Sequence, residues 1–306
     1  MKNMIVSIKE RLKNLSRELH IDFNKLAIRY AQERLLYRLS ISDYKDYFAL
    51  KGALLLVIFN EQNFRPTSDI DFLGLTIHND NLKLLNIFQH ICSIYFNDGI
   101  VFQKDSITHY EIKKNSVSKG TRLKVPWYLG QMKGVLQLDI GFGDKIFSGP
   151  SKASFPSLLD FPETKILAYS KETVLSEKIQ IIVSLNYETS RLKDFFDIYY
   201  LCSNNTFFSN NILSAMNLTF DNRKTSIDDF KLIFSNDFKK NLYFETQWKS
   251  FLRRNKIELT LSFESLMAKI ESFFIPVLNH HDKLIWNKKK WEWEHYHHSH
   301  LILKKD

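Results

Sequence analysis

Two aspartates stand two residues apart in the segment RPTSDIDFLG, residues 65–74. Asp is among the least favoured residues in β-strands, yet Asp69 and Asp71 alternate here with Ile70 and Phe72 as in a half-buried strand. Because side chains i and i+2 of a strand project to the same face, this pattern predicts that the two carboxylates lie side by side. Carboxylates that close repel each other unless a positive charge lies between them. The segment therefore indicates a cation-binding site.

A third aspartate, Asp139, lies within another apolar, strand-like segment, LQLDIG. If the two strands are neighbours, the three carboxylates converge on one sheet face. Ligand sets made only of oxygen suit hard cations such as Mg²⁺, and Mg²⁺ held by carboxylates and substrate phosphates is the recurring arrangement for phosphoryl and nucleotidyl transfer. The alternative is that Asp69, Asp71 and Asp139 face solvent from exposed strands, since short motifs also match by chance.

Lys51 lies directly before an apolar segment, residues 52–60, which begins with Gly52 and which we predict to be a short buried helix. A glycine at that position lets backbone N–H groups approach a triphosphate, and the N-terminus of a helix favours an anion. The alternative is that the pair forms only a tight turn into the helix.

The composition is that of a globular protein with one large or two modest domains: 306 residues, 44% hydrophobic and 25% charged. The net charge of +9 is compatible with polyanionic partners such as RNA, DNA or nucleotides. The longest apolar run, residues 53–59, is too short to span a bilayer, the N-terminus lacks a signal-peptide pattern, and Cys92 and Cys202 have no metal-ligand spacing. These features predict a cytoplasmic protein without membrane association.

The periodicity of apolar residues predicts the elements that carry these aspartates. A strand is expected over residues 69–77 and an antiparallel meander over residues 107–115, 121–129 and 135–143, where turn residues separate alternating segments. Helices are expected over residues 4–19, 22–39, 81–96, 171–186 and 190–202. The change from strands to helices across residues 148–164 predicts a lobe boundary.

Five segments in order, KGALL, RPTSDIDFLG, LQLDIGFGD, YSKETVLSEK and SRLKDFFDIYYL, resemble the nucleotidyl transferase AbiEii/AbiGii toxin family over roughly residues 25–280. The resemblance implies an α+β protein with the nucleotidyltransferase fold of DNA polymerase β. A mixed or antiparallel sheet flanked by helices would occupy residues 1–150, and a helical lobe at residues 151–306 would complete the active site. One departure is Ala53, where the family often has a second glycine.

Site residues follow from the resemblance, position by position. Asp69 and Asp71 would ligate the catalytic metal, and Asp139 would be the third carboxylate, as ligand or as the base for the attacking hydroxyl. Lys178 and Asp194 would complete the catalytic set. The residues expected to bind the nucleotide are Lys51, Gly52, Thr67, Ser68, Lys178 and Arg191.

Three of these assignments have structural alternatives. Thr67 could be a turn residue after Pro66, and Lys178 could form an ion pair on a solvated helix face. Asp197 shares a helix face with Asp194 and is expected to be structural, for instance by pairing with Arg191 or by capping.

The implied activity is that of a type IV toxin–antitoxin, abortive-infection toxin in phage defence. With Mg²⁺ or Mn²⁺ it would transfer a nucleoside monophosphate from an NTP to an RNA hydroxyl, such as the 3′ end of tRNA. The implied partner is a cognate antitoxin encoded by a neighbouring gene. Two alternatives are a catalytically silent nucleotide- or nucleic-acid-binding protein of the same fold and a metal-dependent nuclease.

The C-terminal segment, residues 286–305, is rich in Trp, His and Lys. Aromatic rings beside cations suit single-stranded nucleic acid, and His295, His297, His298 and His300 could bind a transition metal, although their spacing matches no ligand pattern. The favoured interpretation is a tail or a helix docked by its tryptophans. Arg253, Arg254 and Lys256 are expected to contact an RNA backbone or to form a solvated helix face.

Overall fold

The computed structural model describes residues 2–59, 67–114, 118–279 and 283–296. The chain forms two compact units. The first unit consists of Met1–Asp144 and Pro150–Tyr169, and the second of Lys145–Gly149 and Ser170–Asp306. No helix in the described ranges combines the length and the apolar character needed to cross a membrane.

The first unit combines helices with one mixed sheet. Its helices are α1 Lys2–Glu18, α2 Phe23–Ser40, α3 Leu56–Phe59 and α4 Asn81–Ser93, with a short 3₁₀ turn at Lys104–Ser106. Its strands are β1 Phe48–Lys51, β2 Asp69–Gly74, β3 Ile100–Phe102, β4 Thr108–Lys114, β5 Ser118–Leu129, β6 Met132–Gly141, β7 Ser151–Phe155 and β8 Thr164–Ala168. Helix α4 begins where Asp80 accepts hydrogen bonds from the backbone N–H groups of Leu82 and Lys83.

The strand order is β3-β5-β6-β2-β1-β8-β7, and β4 also pairs with β5. Strands β4, β5 and β6 form the predicted antiparallel meander, which is confirmed. Two pairings are parallel: β2 with β6, and β1 with β8. The β2–β6 pairing brings the two strands that contain aspartates into direct contact, and the packed rings of Phe48, Phe72 and Phe88 form part of the core of the unit. The α+β fold class is confirmed.

Buried charges on α2 hold the segment that leads to β8. The carboxylate of Glu33 accepts hydrogen bonds from the Ser157 hydroxyl and the Leu158 N–H, both at 2.8 Å, and a guanidinium nitrogen of Arg29 donates to the Pro156 carbonyl. Because buried polar groups require partners, these bonds fix residues 156–158 on the first unit. Strands β7 and β8 belong to the first unit, which includes Pro150–Tyr169.

Several predicted elements end earlier than expected, among them α4, which was predicted to reach residue 96 and ends at Ser93. The strand predicted over residues 69–77 ends at Gly74. Of the helix predicted over residues 52–60, the described residues 52–59 form a turn followed by helix at Leu56–Phe59, because the chain bends at Gly52, whose φ is +72°. Strand β1, immediately before that glycine, was not predicted.

The second unit is mainly helical. Its helices are α5 Lys171–Leu185, α6 Leu192–Asn204, α7 Ser209–Arg223, α8 Phe230–Ile233, α9 Asn236–Lys239, α10 Leu242–Asn255 and α11 Phe263–Asn279, with 3₁₀ turns at Asn186–Glu188 and Ile227–Asp229. Ser170 caps α5 by accepting from the Thr173 N–H. The rings of Phe238, Phe244 and Phe263 pack together in its core.

The tryptophan-rich segment forms a β-hairpin, β9 Leu284–Asn287 and β10 Glu292–His295, and the predicted tail or helix is therefore wrong for these residues. Its three indole N–H groups donate to protein oxygens: Trp286 to Cys202, Trp291 to Lys269 and Ser272, and Trp293 to Phe273. The expectation that the tryptophans dock the segment is confirmed. These hydrogen bonds hold the rings of Trp291 and Trp293 against α11. The predictions for His297, His298 and His300 concern positions outside the described residues.

Candidate active site

Four charged side chains occupy directly paired positions on four neighbouring strands of the first unit. Lys51 of β1 lies opposite Asp71 of β2, Asp71 lies opposite Asp139 of β6, and Asp139 lies opposite Arg122 of β5. Directly paired residues share a sheet face, so these four residues form one line across the sheet, which we call the charged row. Asp69 precedes Asp71 by two residues and lies on the same face.

Arg122 and Asp139 form a bidentate ion pair at one end of the charged row. The guanidinium Nε and one terminal nitrogen donate to the two carboxylate oxygens at 2.8 and 2.7 Å. The Asp139 side chain is 10% exposed, whereas that of Arg122 is 37% exposed. The hydrogen bond to Asp139 raises the pKa of Arg122, burial opposes this, and the negative charges of Asp139, Asp69 and Asp71 raise it further. The guanidinium therefore interacts electrostatically with all three predicted carboxylates.

Lys51 lies at the other end of the charged row and is almost completely buried. Its ammonium donates to the Asp144 carboxylate at 2.5 Å and to the Tyr169 hydroxyl at 3.3 Å. Asp144, like Lys51, Asp71 and Asp139, lines one pocket in this unit. The sequence analysis did not select Asp144 or Arg122 as site residues. The available signal for Asp144 was its place at the end of LQLDIGFGD, one of the five segments on which the resemblance rests.

Gly52 touches the carboxylate of Asp71. A Cβ atom at Gly52 would lie 2.1 Å from Asp71 Oδ2 and 2.8 Å from Asp71 Cβ. Its positive φ is also a conformation that side chains other than glycine rarely adopt. The turn after Lys51 therefore needs glycine for two reasons, its positive φ and the space that the Asp71 side chain occupies.

The segment before β2 is fixed by two hydrogen bonds. The buried side-chain amide of Gln32 on α2 donates to the Thr67 carbonyl at 3.0 Å, and the Ser68 hydroxyl donates to the Asp69 carboxylate at 3.1 Å. The chain at Thr67 is thus attached to α2, and Ser68 contacts one of the carboxylates. Gln32 carried no signal in the sequence, because its role depends on the approach of α2 to this loop.

The donor set of the charged row fits a divalent cation in its chemistry. Asp69, Asp71 and Asp139 offer carboxylate oxygens on adjacent strands, and such oxygens are the ligands that Mg²⁺ prefers. In the described part of the chain, however, no three His, Cys, Asp or Glu side chains are arranged as a complete metal-ligand group. Asp139 gives both oxygens to Arg122 instead. Asp69 and Asp71 would hold the ion, and Asp139 would join them once Arg122 releases an oxygen.

The second unit contains a separate cluster of buried charges, formed by Lys178 of α5, Asp194 and Asp197 of α6, and Arg191. The Lys178 ammonium donates to Asp194 at 3.0 Å and to Asp197 at 2.6 Å. Arg191 Nε donates to the other oxygen of Asp194 at 2.5 Å. We call these four residues the helical cluster.

Ion pairs connect the two aspartates of α6 to both cations of the helical cluster. Asp197 pairs with Lys178, and Arg191 pairs with Asp194. Asp197 and Asp194 do share a helix face, since both contact the Lys178 ammonium. Burial by itself raises the pKa of Asp194, but Lys178 and Arg191 more than offset it and lower this pKa to about 2. Asp194 is therefore a carboxylate at neutral pH.

Arg191 is the most accessible cation of the helical cluster. Its side chain is 40% exposed, whereas the Lys178 side chain is 10% exposed and lies between two carboxylates. The alternative interpretation, in which Lys178 pairs on a solvated helix face, is wrong, because this side chain is buried. The cluster of Arg253 and Arg254 at the end of α10 is exposed, and Arg254 donates to the Ser250 carbonyl of its own helix.

Comparison with known proteins places the chain in the class of nucleotidyltransferases. Residues 34–269, well over half of the chain, match the family described as nucleotidyl transferase AbiEii toxin, type IV toxin–antitoxin system. The chain belongs to this family and is a nucleotidyltransferase toxin of a toxin–antitoxin system. The resemblance inferred from the five motifs is confirmed.

Similar solved structures include MenT4, a nucleotidyltransferase toxin of Mycobacterium tuberculosis, with 13% identity, a TM-score of 0.49 and coverage of 88% of this chain and 97% of that chain. JHP933 from Helicobacter pylori is similar with 14% identity and a TM-score of 0.42, over 85% of this chain and 99% of that chain. No curated protein matches the chain.

Proposed function

We propose that this chain is a metal-dependent enzyme that transfers a nucleoside monophosphate from an NTP to a hydroxyl group of RNA, with the 3′ end of tRNA as the acceptor. The observation that carries the proposal is the charged row, in which Asp71 lies directly opposite Asp139 with Asp69 on the same face. Carboxylates that lie close together repel each other, so bringing three of them onto one face does not by itself stabilise the fold. Their placement on one face supports a role in binding a cation and its nucleotide.

In the proposed reaction the acceptor oxygen forms a bond to the α-phosphorus, and the bond from that phosphorus to the bridging oxygen of the β-phosphate breaks. Pyrophosphate leaves with the bonding electron pair, and the hydroxyl proton passes to a carboxylate oxygen of Asp139. A bound Mg²⁺ or Mn²⁺ supplies charge neutralisation on the phosphates. Asp69, Asp71 and one oxygen of Asp139 would hold the cation, and the backbone at Gly52 together with Thr67 and Ser68 would contact the nucleotide.

Positive side chains are assigned to the phosphates. Lys178 and Arg191 are proposed to bind the triphosphate, with Asp194 fixing both of them through the bonds described above. Arg191 suits this role because more of its side chain is accessible, and a guanidinium can donate two hydrogen bonds to a phosphate. Lys51 is proposed to bind the nucleotide. Its ion pair with Asp144 fixes its ammonium at the end of the charged row.

The test is an incubation of the purified protein with each α-labelled NTP, Mg²⁺ and total tRNA, followed by a sequencing gel. We expect label on tRNA, lengthened RNA, and loss of both in Asp69→Asn and Asp71→Asn. Asp105→Asn is the matched control because Asp105 is an exposed aspartate of the same unit. Shortened RNA would indicate the nuclease alternative, and NTP binding without transfer would indicate the catalytically silent alternative.

The family implies an antitoxin partner, and we propose that the neighbouring gene encodes it. Expression of the chain alone should arrest growth, and co-expression of the neighbouring gene should restore it. Growth arrest by the Asp71→Asn variant at equal expression would count against nucleotidyl transfer as the cause of toxicity.

A further inference from the structure

The bidentate pair between Arg122 and Asp139 occupies the carboxylate that the proposed cation needs. Both oxygens of Asp139 accept from the guanidinium, at 2.8 and 2.7 Å. Cation ligation by Asp139 requires at least one of these oxygens, so the guanidinium and a divalent cation cannot both keep their full set of bonds to it. The pair is therefore in direct competition with the ion.

Arg122 is the member of the pair that can move away, because its side chain is more exposed. Its side chain is 37% exposed, whereas the Asp139 side chain is 10% exposed. The carboxylate is thus the fixed member of the pair, and the long arginine side chain is the member with access to solvent. The positive charge at the opposite end of the charged row, Lys51, is engaged by Asp144 at 2.5 Å. Of the two cations at the ends of the charged row, Arg122 is the one that donates directly to Asp139.

We propose that Arg122 is a positioning residue that serves as the internal counter-ion of the charged row: it holds Asp139 when no divalent cation is bound and releases it when the cation binds. The inference rests on the proposed function, since it concerns the metal site of that reaction. It extends the function by assigning a residue outside the family motifs to the control of cation affinity. A guanidinium in this position lowers the affinity of the carboxylates for the ion because both cations require the same oxygens.

The experiment measures Mn²⁺ binding by the full chain at 0.15 M salt, from the loss of the electron paramagnetic resonance signal of free Mn²⁺. Arg122→Gln should bind Mn²⁺ roughly tenfold more tightly than the unaltered chain, as a factor of ten corresponds to about 1.4 kcal/mol, of the order of one charge-assisted hydrogen bond. Arg122→Lys should lie between the two, because it keeps the charge and loses the bidentate geometry. Circular dichroism spectra establish that each variant is folded.

Two controls separate this contact from a general charge effect. Lys124→Gln removes one positive charge from the same face of the same strand, where Lys124 lies over the Tyr110 ring, and it should change Mn²⁺ affinity far less. In an Asp139→Asn background, Arg122→Gln should give no further gain. Unchanged or weaker Mn²⁺ binding by Arg122→Gln overturns the inference, and so does a gain that persists in Asp139→Asn or is matched by Lys124→Gln.

The outcome is independent of the transfer assay. If the unaltered chain labels tRNA but Arg122→Gln binds Mn²⁺ no more tightly, the inference fails and the proposed function stands. If Mn²⁺ affinity rises as described but no NTP is transferred, the competition is real and the proposed function fails.

Discussion

The ammonium of Lys178 lies 2.6 Å from the carboxylate of Asp197, whose side chain is completely buried. The same ammonium contacts Asp194, so two carboxylates of α6 hold one lysine of α5. Removing one partner of a buried ion pair leaves the other charge without full compensation in a medium of low polarity, which is strongly destabilising. This contact therefore joins α5 to α6 through buried charges.

Asp197→Asn should lower the free energy of unfolding by about 3 kcal/mol, because Lys178 loses the charge of a buried partner. Urea titration followed by circular dichroism measures the change. The matched control is Asp228→Asn, since Asp228 is 86% exposed and pairs with Lys231 across one helical turn; its effect should stay within about 0.5 kcal/mol. Equal effects of the two substitutions would show that the buried contact contributes little.

The lowered pKa of Asp194 predicts how the stability contributed by the helical cluster varies with pH. Its pKa in the folded protein is lowered to about 2 from a reference value of 3.8, by Lys178 and Arg191 against the opposing effect of burial. A lowered carboxyl pKa stabilises the folded state above the unfolded pKa, and this stabilisation is lost as the pH falls towards the folded pKa. The stability difference between the unaltered chain and Asp194→Asn should be constant from pH 7 to 5. It should then shrink by about 2 kcal/mol between pH 4 and 2.

Urea titrations at fixed pH values from 7 to 2 measure this difference. A difference that grows as the pH falls would contradict the assignment of Asp194 as a carboxylate stabilised by its cationic neighbours. A difference that does not change over the whole range would show that the folded and unfolded pKa values of Asp194 are equal.

Lys51 and Asp144 should be energetically coupled. Their side chains are 9% and 20% exposed and lie 2.5 Å apart, so a double-mutant cycle with Lys51→Met and Asp144→Asn should give a coupling free energy of about 1.5–3 kcal/mol. The matched pair is Lys165 and Glu163, which are 70% and 54% exposed and lie 3.4 Å apart. Its cycle should give less than about 0.5 kcal/mol. Additive effects at Lys51 and Asp144 would mean that Asp144 does not hold the ammonium.

Alternation of apolar and polar residues was sufficient to predict the central strands. Strand β2, the meander and the cap of α4 at Asp80 carry local signals that the structure retains. Strand β1 has no such signal, because all four of its residues are buried and the alternation disappears. Strands β7 and β8 are five residues each and lie in a Pro- and Ser-containing segment that resembles a linker.

The charged row was predictable only in part. The sequence places Asp69 and Asp71 on one face, and the hypothesis of neighbouring strands brings Asp139 to them. The partners of these carboxylates depend on register and on long-range packing: Arg122 meets Asp139 through the β5–β6 pairing, and Lys51 meets Asp144 across 93 positions of the chain. No local pattern encodes either contact, so both required the structure.

Gly52→Ala should disrupt the charged row from a position that has no functional group of its own. Alanine must adopt a positive φ at a cost of about 1 kcal/mol, and its Cβ would meet the Asp71 carboxylate at 2.1 Å, which forces that side chain to move. Gly149→Ala is the matched control, because its φ of +74° is nearly the same and nothing lies within 4 Å of the added Cβ.

The loss of unfolding free energy measured by urea titration should be about 1–3 kcal/mol larger for Gly52→Ala than for Gly149→Ala. Adding Asp71→Ala should recover part of that excess, since it removes the two nearest atoms that the new Cβ meets. Equal losses of unfolding free energy at the two glycines would show that the backbone after Lys51 can accommodate the new Cβ without moving the Asp71 side chain. In that case the close approach of Gly52 to the carboxylate would have no part in holding the charged row.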